Sequence, residues 1–250
     1  MTKVEVQQKV LNENQRLAQG LRESFREHGI YCANFISSPG AGKTLLLERT
    51  LALFPPATRV AVLTGDIQTD NDATRLARYG FPVRQITTGG CCHLDARMVE
   101  RALEGWDLAS LDTLFIENVG NLVCPASYDL GEHDKIVILS TTEGEDKPLK
   151  YPATFSRAGL VILNKIDLLP YVSFNLDVAK ENIRKVHPGA KILEISATTG
   201  AGFKQWEQWL EQKLSFPRTP QYRRSGRHRH PCHRRRRHRS PGHRSPGLSR

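Results

Sequence analysis

The chain has 250 residues, 39% of them hydrophobic, which is enough for one large domain or two small ones. Its formal net charge of +10 comes from the segment Arg218 to Arg250, which holds 12 arginines and no acidic residue, so the rest of the chain gives no indication of a nucleic-acid partner. No run of eighteen apolar residues occurs, which excludes a membrane span, and the start lacks the apolar stretch of a signal peptide. Five irregularly spaced cysteines do not fit a disulfide framework, so we expect a cytoplasmic protein.

Apolar periodicity predicts helices and strands that alternate along the chain. A first helix is expected from about Val4 to His28, interrupted at Gly20. The runs predicted to be strands are 31–38, 59–66, 83–87, 112–118, 134–141, 159–167 and 190–197. The further predicted helices are 45–54, 71–80, 94–104, 176–186 and 202–214. This alternation predicts an α/β fold with a mostly parallel sheet flanked by helices.

The segment "SSPGAGKT" (37–44) lies between a predicted strand and a predicted helix. It matches the P-loop pattern G-x-x-x-x-G-K-[ST] except at the first position, which is Ser37. Lys43 would reach the β- and γ-phosphates, and the Thr44 hydroxyl would bind Mg²⁺. The positions that would wrap a phosphate with their backbone are Pro39, Gly40, Ala41 and Gly42. A chance glycine-rich turn is the alternative, but the order of strand, loop and helix favours a P-loop NTPase.

Two further motifs indicate which nucleotide binds. "NKID" (164–167) ends a predicted strand and matches the N-K-x-D pattern of guanine-nucleotide-binding proteins. The Asp167 carboxylate can accept from both N1–H and the 2-amino group of guanine, a donor pair that adenine lacks. Asn164 would bond the other edge of the base and tie loops together, and the Lys165 stem would lie on the base. Ser196 and Ala197 begin the "SAT" segment, where the Ala197 N–H would meet the guanine O6. An ordinary strand-ending turn is the alternative for "NKID".

Two acidic residues follow predicted strands and are candidates for the Mg²⁺ shell. Asp66 stands in "LTGDIQTDNDA", and Glu117 stands in "LFIENVG" where a Walker-B acid would be expected. Either residue would also fit a solvated turn or a helix cap. Asp70 and Asp72 fit helix caps better, although either could face the γ-phosphate.

Cys92, His93 and Cys124 are the candidates for a soft metal site. Thiolate and imidazole ligands suit Zn²⁺ or Ni²⁺, and we expect Cys92 and His93 at the start of a helix, which would favour the thiolate. Three ligands are too few for a closed tetrahedral site, so the site would be open or shared across a two-fold axis. On spacing alone, simple packing of a neighbouring cysteine pair remains the alternative, and Cys91 has no assigned part.

The motifs together resemble those of the HypB family of hydrogenase maturation GTPases. The segments that carry the resemblance are "SSPGAGKT", "LTGDIQTDNDA", "CHLDA", "ENVGNLVCP", "EGEDKPLKYP" and "LNKIDLLPY", and it runs from about residue 4 to 214. The combination of "CHLDA" with "ENVGNLVCP" separates this family from the related urease GTPases. Two departures are notable. Many members carry an N-terminal cysteine-rich nickel motif or a histidine-rich stretch, whereas the first cysteine here is Cys32. Arg97 stands near the place where some members have a second histidine ligand.

The resemblance implies a P-loop GTPase of the SIMIBI type that binds GTP or GDP with Mg²⁺ and assists nickel insertion into [NiFe]-hydrogenase. It implies a GTP-promoted homodimer with a Ni²⁺ or Zn²⁺ site at the interface, formed by Cys92, His93 and Cys124 of both subunits. The implied partners are a nickel-delivery accessory protein and the hydrogenase large-subunit precursor. Lys43, Asp66 and Glu117 would be the catalytic residues, and hydrolysis is expected to be slow because no arginine finger or switch glutamine is identifiable.

The resulting division of the chain is an N-terminal helical segment (1–30), a GTPase domain (31–216) and a disordered Arg/His-rich tail (217–250). Five of the nine histidines lie in that tail, which has too few apolar residues to form a core. The tail could sequester metal or anions, be a solvated terminus without a dedicated role, or be an aberrant terminus. If the tail sequesters metal, the alternative function is that of a nickel storage or carrier protein in which GTP hydrolysis has little role.

Overall fold

The structure is a computed structural model of the chain and describes residues 3–67 and 71–214. The strands are Tyr31–Ser37 (β1), Val60–Asp66 (β2), Val83–Thr87 (β3), Thr113–Glu117 (β4), Asp134–Ser140 (β5), Leu160–Asn164 (β6) and Ile192–Ile195 (β7). The α-helices are Lys3–His28 (α1), Lys43–Ala52 (α2), Asn71–Ala77 (α3), Ala96–Leu103 (α4), Cys124–Ser127 (α5), Lys147–Lys150 (α6), Pro152–Phe155 (α7), Leu176–Val186 (α8) and Phe203–Leu214 (α9). The predictions for the tail and for Asp70 concern residues outside the described ranges.

All seven strands form one sheet in the order β3-β2-β4-β1-β5-β6-β7. Every neighbouring pair is parallel, which confirms the predicted α/β class with its parallel sheet. The central strand β1 lies between β4 and β5, so the segments that follow these strands leave the same edge of the sheet. In an open α/β sheet this carboxyl edge is where ligands bind.

Helices cover both faces of the sheet and bury its apolar strands. On one face α2 and α9 pack on β1 and β4, where the Phe35 and Phe115 rings meet edge-to-face at 5.6 Å. The Trp206 indole on α9 also donates to Thr50 Oγ1 on α2 at 2.9 Å, which satisfies the buried N–H. On the other face α1 and α4 pack together, with Phe25 fully buried between them and the sheet.

The expected interruption of α1 at Gly20 is wrong, because the helix continues through this residue. Gly20 is exposed, whereas its neighbours Ala18 and Leu21 are buried against the sheet. A glycine costs a helix only about 1 kcal/mol relative to alanine, so burial on either side of it can hold the helix intact.

The three shortest helices, α5, α6 and α7, were not expected from the sequence. Each has only four residues, too few to show a helical period, and each has a proline in its first turn. Within the described ranges, no helix has both the length and the hydrophobicity needed to cross a bilayer.

Candidate functional site

The P-loop candidate joins the end of β1 to the start of α2 in a tight, glycine-dependent turn. Gly42 caps α2 in the left-handed region, with φ of 98°. A Cβ at this position would also lie 2.6 Å from Asn164 Nδ2, so only glycine fits between the loop and β6. The first N–H groups of α2 therefore face the carboxyl edge of the sheet, which is the arrangement that binds phosphate.

Lys43 is buried at the start of α2 and bends back over the loop. Its Nζ donates to Ser37 Oγ at 3.0 Å, so the serine that replaces the usual first glycine holds the lysine. Burial lowers the pKa of Lys43, and the negative charges of nearby carboxylates, Glu117 foremost, oppose this effect. Because a buried ammonium group is poorly solvated, it interacts strongly with an anion that enters the site.

Thr44 and Glu117 form the acidic side of the same site. Thr44 Oγ1 donates to Glu117 Oε1 at 2.7 Å, while Glu117 Oε2 is buried and has no hydrogen-bond partner among the described residues. Asp66 ends β2, two residues beyond Thr64, which is paired with Glu117 in the sheet. Hydroxyl and carboxylate oxygens are the ligands that Mg²⁺ prefers, so this donor set, with its unsatisfied oxygen, fits a divalent cation.

The charge state of Glu117 is sensitive to pH in the ligand-free protein. Burial is the main cause that raises the pKa of Glu117 to about 7, from 4.5 in an exposed carboxyl group. Because the folded-state pKa lies above the unfolded one, the folded state is favoured by protonation, and stability falls as the pH rises from about 4.5 to about 7. We expect Glu117→Gln to remove this loss and to stabilise the apoprotein above pH 7 by up to about 3 kcal/mol.

Urea unfolding at pH 5.5 and pH 7.5 in the presence of EDTA measures this effect. The exposed Glu211 on α9 provides the matched control, since Glu211→Gln should leave the pH dependence of the parent protein unchanged. A Glu117→Gln variant whose stability falls with pH as steeply as that of the parent would refute the assignment.

The two segments predicted to contact guanine meet at the ends of β6 and β7. Asn164 is buried, donates from Nδ2 to the Ala41 carbonyl at 2.8 Å, and accepts at Oδ1 from the Ala197 N–H at 3.1 Å. Asp167 accepts a hydrogen bond from the Ser196 hydroxyl. Asn164 thus joins the phosphate loop to the "SAT" segment, as its position in the sequence suggested it could.

Lys165 has the only positive φ among the non-glycine residues that the structure describes, at 63°. The Thr141 hydroxyl, which follows β5, donates to the Lys165 carbonyl at 2.7 Å and helps to hold this conformation. Such strained backbone persists only where neighbouring contacts fix it, and it is concentrated at functional sites.

Cys92, His93 and Cys124 come together although Cys124 lies 31 positions after His93 in the sequence. One candidate ligand atom from each lies within 4.8 Å of the other two, and this is the only such group of three or more His, Cys, Asp or Glu side chains among the described residues. The two sulfur atoms are 3.0 Å apart. All three side chains are half-buried, while Cys91 is exposed and lies outside the group. The residues present therefore fit an open soft-metal site with three ligands.

His93 is held in a form that suits metal ligation. Its ring stacks on Tyr128 with centroids 3.8 Å apart, and its buried Nδ1 has no hydrogen-bond partner in the described structure. Burial lowers the pKa of His93, which favours the neutral imidazole, although Asp95 opposes the shift. The neighbouring Cys92 thiol is the main cause that raises the pKa of Cys124, so a bound cation would have to displace a proton there.

The expected position of Cys92 and His93 at a helix start needs correction. Helix α4 begins at Ala96, and Asp95 caps it by accepting from the Met98 N–H at 2.8 Å. The two ligand candidates lie in the preceding turn because Asp95, the first good capping residue, fixes the start of the helix. Arg97 forms an ion pair with Glu13 of α1 at 3.2 Å, so it ties the two helices together.

The turn that carries Cys92 and His93 packs directly on the nucleotide side. A Cβ on Gly65, next to Asp66, would lie 2.8 Å from the Leu94 side chain, and Leu94 follows His93. Similarly, a Cβ on Gly120 would lie 2.9 Å from the Pro39 Cα in the phosphate loop. The end of β2 is therefore packed closely against the turn of the metal candidates, and the segment after β4 is packed closely against the phosphate loop.

Sequence reasoning missed three residues of this region. Asn118 follows Glu117 and contacts the metal turn, Tyr128 stacks on His93, and the Glu143 carboxylate after β5 accepts from the Ser140 N–H at 3.0 Å. Asn118 and Glu143 could have been predicted from the sequence, since both are polar residues just beyond a buried strand. Tyr128 could not have been predicted, because its contact with His93 depends on how distant segments pack.

Comparison with known proteins identifies relatives along most of the chain. Residues 33–194 match the family model described as the CobW/HypB/UreG nucleotide-binding domain. The hydrogenase maturation factor HypB of Escherichia coli K12 is 50% identical over 208 residues, covering 83% of this chain and 72% of the relative. The crystal structure of HypB from Helicobacter pylori in complex with nickel has a TM-score of 0.76 and 42% identity, with 81% of this chain and 95% of that chain covered. HypB from Archaeoglobus fulgidus also has a TM-score of 0.76, with 39% identity and coverage of 81% and 99%.

Proposed function

Because the chain belongs to the HypB family of hydrogenase maturation factors and is a P-loop GTPase, we propose that it hydrolyses GTP to control a nickel site during [NiFe]-hydrogenase maturation. The observation that carries this proposal is a pair of close contacts: Leu94, which follows His93, packs on Gly65 beside Asp66, and Gly120, which precedes Cys124, packs on Pro39 of the phosphate loop. The same two segments bring Cys92, His93 and Cys124 together. A relative of similar fold has been crystallised with nickel, which supports nickel as the cargo.

Hydrolysis would depend on positioning and charge rather than on covalent chemistry. Lys43 would leave Ser37 to bind the β- and γ-phosphates, and the first N–H groups of α2 would hold the same oxygens. Thr44, Asp66 and Glu117 would hold Mg²⁺, which neutralises charge on the phosphates when bound. Asp167 would select guanine, and Asn164 would keep the base-binding and phosphate-binding loops in register.

The metal site would be completed by a second copy of the chain. Cys92, His93 and Cys124 supply three ligands from one subunit, one fewer than a closed tetrahedral site requires. Beside them Val123 is 58% exposed, a large apolar side chain that a partner subunit would cover. Pairing two such faces across a two-fold axis would bring both ligand sets together, and Zn²⁺ would fit the same thiolate and imidazole donors.

GTP would favour the dimer by ordering the segments around Asp66 and Glu117. The γ-phosphate would draw Lys43 toward itself, and the Mg²⁺ bound with it would attract Glu117. Because Gly120 is packed on Pro39, the segment before Cys124 would have to follow. Hydrolysis would remove that restraint and loosen the metal, which is the logic of a nucleotide switch. An accessory protein would supply nickel before this step, and the hydrogenase large-subunit precursor would receive it afterwards.

Equilibrium dialysis of Ni²⁺ against the protein with a non-hydrolysable GTP analogue and with GDP tests the coupling. We expect the nickel dissociation constants in the two states to differ on the order of tenfold, a usual size for allosteric coupling. Cys91→Ser is the matched control, because Cys91 is exposed and outside the ligand group, and it should leave both constants unchanged. Equal nickel affinity in the two nucleotide states would rule out the switch.

A further inference from the structure

We propose that Asn118 is the positioning residue through which the nucleotide state acts on Cys92 and His93. This inference rests on the proposed function and names the side chain that transmits the change. Asn118 is 1% exposed and directly follows Glu117 at the end of β4. Neither a phosphate contact nor a metal ligand is assigned to it.

The Asn118 side chain bonds two segments of backbone at once. Its Oδ1 accepts from the Leu94 N–H at 3.1 Å and from the Val119 N–H at 3.0 Å. Leu94 follows His93, so this bond fixes the end of the turn that carries both ligand candidates. The Asn118 N–H donates in turn to the Phe35 carbonyl of β1 at 3.0 Å, which anchors the residue to the central strand.

A second set of bonds fixes which way the Asn118 amide faces. Its Nδ2 donates to Asn34 Oδ1 at 3.2 Å, and Asn34 Nδ2 donates to Glu132 Oε1 at 3.2 Å. Glu132 Oε2 accepts from the Leu130 N–H at 2.6 Å, and Lys135 Nζ lies 2.6 Å from Glu132 Oε1. If the Asn118 amide were flipped, its Nδ2 would face the Leu94 and Val119 N–H groups and its Oδ1 would face Asn34 Oδ1. Buried donors and acceptors would then be unpaired, so the observed orientation is fixed.

This geometry makes Asn118 move with the nucleotide side. Glu117 would shift when the phosphates and the cation bind, and Gly120, two residues after Asn118, is packed on Pro39 of the phosphate loop. A rotation of the backbone between these points would displace Oδ1 and, with it, the Leu94 N–H. Leu94 has little freedom to absorb the movement, because its side chain fills the space above Gly65.

A purely structural asparagine would lower nickel affinity equally in all nucleotide states, whereas a transmitting residue would change the ratio between states. Asn14 provides the matched control, because it bonds the first residue of α4, just after this turn, and does so from α1. Its Oδ1 accepts from the Ala96 N–H at 2.8 Å, and its Nδ2 donates to the Asp129 carbonyl at 2.9 Å. Within residues 3–67 and 71–214, neither of these Asn14 hydrogen bonds reaches the ends of β2 or β4.

The experiment measures nickel dissociation constants of the full chain by dialysis, with the GTP analogue and with GDP. We expect Asn118→Ala to bring the ratio of the two constants to within about twofold of one, and Asn14→Ala to keep the ratio of the parent protein. A parent-like ratio in Asn118→Ala, or an equal loss in both variants, would overturn the inference. If the parent protein itself has a ratio of one, the proposed switch fails and this inference fails with it.

Hydrogen exchange in the unmodified chain tests the same point without relying on a variant that folds. The Leu94 amide should exchange at a rate that differs at least about threefold between the two nucleotide states, since its bond to Asn118 is the one that changes. The Ala96 amide, bonded to Asn14, should exchange equally in both states. Identical exchange of the Leu94 amide in the two states would overturn the inference.

Discussion

Replacing Lys43 by methionine is expected to lower kcat for GTP hydrolysis by about 10² to 10³-fold. The lysine is buried, its Nζ bonds Ser37 Oγ at 3.0 Å, and Glu117 is the leading charge that acts on it. Removing one such preorganised donor from a site shielded from water usually costs a factor of this size. Methionine keeps the length and packing of the side chain, so the change isolates the charge.

The same variant should be at least as stable as the parent protein. Burial lowers the pKa of Lys43, which means that the charged form is less favourable in the folded state than in the unfolded one. Lys150→Met is the surface control, since the exposed Lys150 of α6 pairs with the exposed Asp146 at 2.5 Å, and it should change neither rate nor stability. Steady-state phosphate release and thermal melting measure both effects, and a Lys43→Met rate within tenfold of the parent would show that Lys43 does not act on the phosphates.

Replacing Cys92 by alanine is expected to weaken nickel binding by at least about 100-fold while lowering kcat for GTP hydrolysis less than about threefold. Loss of a residue that only hydrogen-bonds a metal ligand lowers metal affinity by about 10- to 100-fold, so loss of the ligand itself should lower it further. Cys92 is half-buried, and its sulfur lies 3.0 Å from Cys124, whereas the Thr44–Glu117 pair joins α2 to β4. The small void left near the surface should change stability by less than about 1 kcal/mol.

Nickel titration and phosphate release on the same preparation separate the two activities. Cys91→Ala serves as the control, because Cys91 is exposed and next to Cys92 in the chain but outside the ligand group. A comparable loss of nickel binding in Cys91→Ala would show that Cys91 belongs to the nickel site. A loss of both nickel binding and hydrolysis in Cys92→Ala would mean that the cysteine supports the fold rather than the metal.

The order of strands and helices was predictable because parallel strands covered on both faces are continuous apolar runs. The phosphate loop was predictable because its small residues stand at fixed spacing before Lys43. The continuation of α1 through Gly20 was not predictable, since it depends on the burial of neighbours against the sheet. Propensity describes the isolated segment, and tertiary packing decided this case.

The composition of the metal group was predictable, but its assembly was not. The sequence indicated soft ligands at Cys92, His93 and Cys124, and only the packing of two separate loops brings their ligand atoms within 4.8 Å. The bond from Asn118 to the Leu94 N–H is of the same kind, because it joins positions 24 residues apart through the ends of neighbouring strands. Contacts of this type depend on sheet order, which hydrophobic periodicity does not encode.

The most direct test of the central claim is the nickel content of the dimer that forms with the GTP analogue. Size-exclusion chromatography with mass detection and elemental analysis, on the full chain and on a variant truncated after Phe216, gives metal and subunit counts together. A GTP-controlled interfacial site predicts one nickel ion per dimer, retained after truncation and reduced when GDP replaces the analogue. Several ions per chain that are lost on truncation, or equal nickel in a GDP-bound monomer, would contradict it.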